Sequence, residues 1–84
     1  MNKTIVVTGA TGALGKKTAH AFARRGHSLA LLDNDQTKLD ALTRQLHLPA
    51  DRLFASVVDL RDGNALRATA EAAAAQFGGV HALI

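Results

Sequence analysis

Four short apolar runs, separated by segments whose apolar residues recur every three or four positions, govern what this chain can fold into. Thr4–Thr8 is β-branched and stops at Gly9, which reads as a buried strand. From Ala13 the period lengthens. Leu14, Thr18, Ala21 and Phe22 share one helical face, Lys17, His20 and Arg24 the other, and Gly26 follows where a helix end favours glycine. Ser28–Leu32 is apolar again and ends at Asp33, a second strand. Asp35 can cap a helix carrying Leu39, Leu42 and Leu46, and Pro49 closes that region. Leu53–Val58 reads as a third strand running to Asp59. Asp62 then caps a helix with Leu66, Ala70, Ala73 and Phe77 along one side, ending at Gly78-Gly79. Val80–Ile84 begins a fourth strand.

The order β-α-β-α-β-α-β with near-continuous apolar strands calls for an α/β fold, a parallel sheet covered on both faces. Right-handed crossovers put the first two helices on one face. The third helix returns over the other face and delivers the fourth strand beside the first. The expected architecture is a Rossmann-like doubly wound sheet of strand order 3-2-1-4, with its switch point between strands 1 and 4. Residues 1–84 make one unit without linker or repeat.

The connection after the first strand carries the clearest chemistry. Thr8-Gly9-Ala10-Thr11-Gly12-Ala13-Leu14-Gly15-Lys16-Lys17-Thr18 places three glycines between a strand and a helix. A triphosphate-binding loop, G-x-x-x-x-G-K-[ST], is one candidate, and Gly15-Lys16 supplies its centre. Its first glycine would fall on Ala10, and the hydroxyl that ligates magnesium would fall on Lys17, whose ammonium cannot coordinate a cation. Val57-Val58-Asp59 can imitate the acidic strand end behind such a site.

A dinucleotide site needs a strand, a tight glycine turn and a helix whose first amides face a pyrophosphate, and all three stand here in order. Gly9 makes the turn, Gly12 admits phosphate to the backbone and Gly15 lets the helix pack closely on the sheet. The spacing is G-x-x-G-x-x-G rather than G-x-G-x-x-G. Thr8 and Thr11 add hydroxyls that can support the turn or donate to phosphate. The plainer alternative is a strand-to-helix turn with no ligand.

Asp33 favours the ligand. It ends the second strand eighteen residues beyond Gly15, close to the spacing of about 20 for an acid that binds an adenosine ribose. A carboxylate there accepts from ribose hydroxyls and repels the extra phosphate of NADP, and Leu32 and Asn34 flank it with no cation. NAD is therefore the expected cofactor, preferred over NADP. Asp59, at the end of the third strand, is a candidate partner for the adenine amino group, or simply a turn residue. His20, His27 and His47 lack metal-ligand spacing. His81 enters the fourth strand at the edge where a ligand would lie, or is only a strand start.

Composition narrows the function classes. The formal charge is +3 and all three aromatics are Phe, so no basic surface interleaved with aromatics points to nucleic acid. There is no Cys, which excludes disulfides and thiolate metal sites and agrees with a reducing compartment. The N-terminal apolar run is three residues long, far short of a signal peptide or a membrane span. A cytoplasmic location is expected. There is no Tyr and no Trp, so no chemistry needing a phenol belongs to this chain.

Together, Thr8-Gly9…Gly12…Gly15, Asp33, Val58-Asp59-Leu60 and Phe77-Gly78-Gly79-Val80-His81-Ala82-Leu83-Ile84 resemble the N-terminal part of a short-chain dehydrogenase/reductase, over essentially the whole chain. The resemblance implies that the loop residues Gly9, Thr11, Gly12, Ala13, Leu14 and Gly15 bind the NAD(P) pyrophosphate. It implies that Asp33 and Asn34 lie at the ribose, selecting NAD, and that Asp59 and Leu60 contact adenine. Ala13 departs from the compact branch of the family, which carries glycine there. Gln76-Phe77-Gly78-Gly79-Val80 points back towards that branch, so both branches stay open. The family's Ser, Tyr and Lys of catalysis, the last two as Y-x-x-x-K, follow the fourth strand and have no counterpart here. The chain is accordingly expected to be the cofactor-binding front of a longer oxidoreductase. The expected partners of that parent are a small-molecule substrate and further copies of itself. A regulator that senses NAD(P) on the same fold is the alternative of a different class. Alone, the 84 residues are expected to be partly unfolded or to associate, through an open edge beside the fourth strand.

Overall fold

A computed structural model describes residues 3–84. The elements follow the hydrophobic periods closely: β1 Thr4–Thr8, α1 Ala13–Arg24, β2 Ser28–Asp33, α2 Gln36–Leu46, a 3₁₀ turn Ala50–Arg52, β3 Leu53–Val57 and α3 Gly63–Phe77. The 3₁₀ turn is not foreseen in the hydrophobic pattern, and β3 closes one residue earlier than expected, at Val57.

β1 and β2 pair in parallel from Thr4 opposite Ser28 to Thr8 opposite Leu32. β2 and β3 pair in parallel from Leu29 opposite Leu53 to Asp33 opposite Val57. The regular part of the sheet is thus three strands with β2 in the middle. On the free side of β1, only Ala82–Leu83 forms a ladder, opposite Ile5 and Val6. This corrects the expectation of a strand over all of Val80–Ile84. Gly78 and Gly79 turn the chain with φ of +81° and +141°, and the hydrogen bonds to β1 begin only at His81, whose amide donates to the Thr4 carbonyl.

Alternate residues of the strands feed two cores. Ile5, Val7, Leu29 and Leu31 point to the face covered by α1 and α2, where Ala19, Leu39 and Leu42 are buried with them. Val6, Ala30 and Leu32 point the other way and meet Val58 and Ala73, with Phe54, Leu66 and Phe77 packed against them. A parallel sheet buried on both faces needs this continuous apolar lettering, which is why β2 is buried along its whole length.

The buried side of α1 differs from the one expected. Ala19 is its buried residue, with Phe22 and Ala23 packed on the core, while Leu14 is 76% exposed. The helix starts over the glycine turn, where Gly15 rather than Leu14 faces Ala10 and the Gly9 carbonyl, and Leu14 is left at the surface.

His27 and His81 occupy the lower edge, at the beginnings of the strands. Each stands one residue before a segment flanking β1. Lys3 N donates to His27 Nδ1 at 3.1 Å and Thr4 N to His81 Nδ1 at 2.9 Å. This places His81 at the opposite end of the sheet from the glycine loop, and corrects the suggestion that it faces a ligand. Arg52 Nη2 closes the same edge by donating to the carbonyl oxygens of Ala23 and His27.

Candidate functional site

The site is built at the upper edge, where β1, β2 and β3 end. Leaving β1, the chain turns at Gly9 with φ of +60°, a left-handed backbone that glycine adopts without steric cost. Ala10 is fully buried and its amide donates to the Leu32 carbonyl at 3.2 Å, tying the loop to β2. Gly12 N then donates to Gly9 O at 3.1 Å. Gly15, in the first turn of α1, lies directly on this turn, and any side chain there would overlap the Gly9 carbonyl oxygen.

The three helices begin differently. Asp35 caps α2 by accepting from Lys38 N, and Asp62 caps α3 by accepting from Ala65 N. The N-cap of α1 is Gly12, which has no side chain to offer, and its first turn holds no acid. The amides of Ala13, Leu14 and Gly15 thus open outward with the positive end of the helix dipole behind them.

In front of that helix start is a cavity of about 380 Å³ lined by Gly9, Thr11, Gly12, Asp33, Asn34, Asp59, Leu60 and Arg61. The structure therefore brings together the loop, β2-end and β3-end residues singled out in the sequence. Ala13, Leu14 and Gly15 stand beside the cavity as the first turn of α1 without lining it.

Asp33 is only 6% exposed. Its Oδ2 accepts from Thr11 N at 2.9 Å and from Thr11 Oγ1 at 2.8 Å. Its Oδ1 accepts from Asn34 N at 2.7 Å and from Asp35 N at 3.3 Å. Burial pushes its carboxyl up, but the amide and hydroxyl of Thr11 and the amides of Asn34 and Asp35 together outweigh burial. They hold the group below its ordinary value.

Asp59 sits across the cavity in water. The Arg61 side chain grips it through Nε to Oδ1 and Nη2 to Oδ2, both at 3.1 Å, and the Arg61 amide adds 2.9 Å to Oδ1. The guanidinium, then the amide, lower the Asp59 carboxyl. Arg61 is 92% exposed and is the lining residue that sequence reasoning missed. Its signal was present as a cation two positions after a strand-end acid, a spacing that lets a side chain fold back on the carboxylate.

Chemically, the uncapped amides of the first turn of α1, beside the cavity, can receive an anion, while the carboxylates of Asp33 and Asp59 across it are engaged by Thr11, Asn34, Asp35 and Arg61. Among the described residues, no group of His, Asp and Glu is placed to hold a metal ion. Nor is any helix among them long and apolar enough to cross a membrane.

Comparison with known proteins agrees with this arrangement. A family model described as short chain dehydrogenase matches residues 3–84. D-threitol dehydrogenase of Mycolicibacterium smegmatis is 36% identical, over 98% of this chain and 32% of its own. A short chain dehydrogenase/reductase from Burkholderia phymatum, solved in complex with NAD, superposes with a TM-score of 0.89 at 32% identity, over 98% of this chain and 29% of that one. A short chain oxidoreductase of Pseudomonas aeruginosa, solved with NADPH, superposes with a TM-score of 0.88 at 34% identity, over 96% and 32%. The chain spans a third or less of the length of these relatives.

Proposed function

Because this chain belongs to the short chain dehydrogenase family, we propose that it forms the dinucleotide-binding part of an NAD(P)-dependent oxidoreductase. The observation that carries the reading is the start of α1, alone among the α-helices of the described residues in having no side-chain cap, beside a cavity lined by the strand-end acids Asp33 and Asp59. The amides of Ala13, Leu14 and Gly15, approached through Gly9 and Gly12, would hold the pyrophosphate. Asp33 and Asn34 would face the adenosine ribose, Asp59 and Leu60 the adenine.

NAD is the preferred cofactor in this proposal. Family members take either form, as the NAD and NADPH complexes of the relatives illustrate, so local charge must decide. Here the ribose end carries the Asp33 carboxylate, which repels a 2′-phosphate. A bound nicotinamide cofactor supplies or accepts a hydride at a carbonyl or alcohol carbon. The residues of this chain bind and orient it. With no Tyr they offer no phenol for proton transfer, and these 84 residues alone are expected to show no turnover. A small-molecule substrate and association of the parent with copies of itself complete the proposal.

The test is calorimetric titration of the chain with NAD, ADP-ribose, NADP and nicotinamide mononucleotide. NAD and ADP-ribose should bind, NADP more weakly, and the mononucleotide, which lacks the adenosine, not measurably. Failure of both NAD and ADP-ribose to bind overturns the reading.

A further inference from the structure

Asp33 has no acceptor position left for a ligand. A carboxylate offers about four lone-pair positions, and in this chain four donors fill them: Thr11 N and Thr11 Oγ1 on Oδ2, Asn34 N and Asp35 N on Oδ1. Three of these donors are main-chain amides held in place by the glycine loop and by the turn after β2. The fourth, the Thr11 hydroxyl, sits on a single rotatable bond. It is the donor that can leave without moving the backbone, and it lines the same cavity as Asp33.

We propose that the Thr11 hydroxyl is a placeholder for a sugar hydroxyl. It satisfies Asp33 in the free chain and yields its position to the ribose 2′-hydroxyl of NAD, so Thr11 sets how sharply the chain separates NAD from NADP. The inference rests on the dinucleotide reading and deepens it. The exchange trades one O–H···carboxylate bond for another, so NAD gains little net affinity from Asp33 while Thr11 competes. NADP carries a phosphate on that same oxygen and has no proton to offer there. It cannot take part in the exchange, and it gains nothing when the competitor is removed. The Thr11 amide stays on Oδ2 whatever the side chain, which keeps the loop tied to β2.

Thr11→Val removes the hydroxyl and keeps the shape, and Thr11→Ala does the same with less bulk. Both are titrated with NAD, ADP-ribose and NADP beside the unaltered chain. In each variant NAD and ADP-ribose should bind roughly three- to tenfold tighter, the equivalent of one released competing hydrogen bond. NADP should not tighten, so the NAD/NADP ratio rises. Thr11→Ser restores the hydroxyl and with it the weaker binding. Unchanged or weaker NAD binding in both Val and Ala variants, with normal binding by the unaltered chain, overturns the placeholder role and leaves the dinucleotide reading standing. If the unaltered chain binds neither NAD nor ADP-ribose, the dinucleotide reading fails and the Thr11 role fails with it.

Discussion

Gly15 and Gly9 touch so closely that no side chain fits between them. A Cβ on Gly15 would overlap the Gly9 carbonyl oxygen and lie 2.9 Å from Cα and 3.0 Å from the carbonyl carbon of Ala10. All of these are backbone atoms, which cannot swing aside. Gly15→Ala should therefore destabilise the chain by about 1–3 kcal/mol, despite the higher helix propensity of alanine. Gly63, the first residue of α3, has open space where a methyl group would project, and Gly63→Ala should be neutral or stabilising by up to about 1 kcal/mol. Urea midpoints should fall for the first variant and hold or rise for the second.

Asp33 fastens the glycine loop as well as facing the cavity. Asp33→Ala strands the Thr11 amide and should cost about 1–3 kcal/mol of stability. It also removes the charge that would oppose a 2′-phosphate, so the bias against NADP should relax, whereas NAD binding should weaken only as far as the glycine loop loosens without its tie to Asp33. Titration with both cofactors decides this, and an unchanged preference would show that Asp33 takes no part in selection.

The same carboxylate gives stability a pH dependence of definite sign. The folded chain holds the Asp33 carboxyl below its ordinary value of 3.8, so the unfolded chain binds the proton more readily. The stabilisation is complete above that unfolded value and is lost as the pH falls through it towards the lower folded value. Urea midpoints should be insensitive to this group near neutrality and drop below about pH 4, and the drop should be shallower in Asp33→Asn.

His81 belongs to the sheet and not to the ligand. Thr4 is buried and its amide donates to His81 Nδ1. His81→Leu should orphan that donor at a cost of about 1–3 kcal/mol, whereas His81→Asn, which keeps an acceptor, should recover part of it. Neither change should alter the NAD/NADP ratio, because the ring lies at the far edge of the sheet. A shifted ratio would contradict that placement.

Much of the molecule was written in local patterns. Asp35 and Asp62 sit three residues before the amides they cap, and Gly9 and Gly26 mark turns by needing a left-handed backbone, φ of +60° and +85°. Asp33 and Asp59 reach the same cavity because parallel strands all end on one side. What sequence could not supply depends on partners distant along the chain or on side-chain direction. That Thr11, twenty-two residues away, fills both acceptor positions of Asp33 Oδ2 follows only from how the loop folds over β2. Leu14 fits a helical stripe on paper, yet Gly15 faces the glycine turn at the helix start and Leu14 is left exposed. Arg61 could have pointed anywhere from an open turn, and it points back at Asp59. The overlong strand expected at Val80–Ile84 has the same origin, since two left-handed glycines, not apolar lettering, decide where pairing with β1 begins.

Two helices of this chain are self-sufficient at their origins and one is not. For α2 and α3, an aspartate in the sequence already supplies the negative end group that a helix wants. The N-cap of α1 gives no such group, so an anion docking there, as proposed for the pyrophosphate, would complete the helix as well as occupy the site. Ligand and folded state are then coupled by mass action, and a roughly hundredfold excess over Kd should add about 2.7 kcal/mol to unfolding. The molecule behind this glycine loop would be made sturdier by its own cargo.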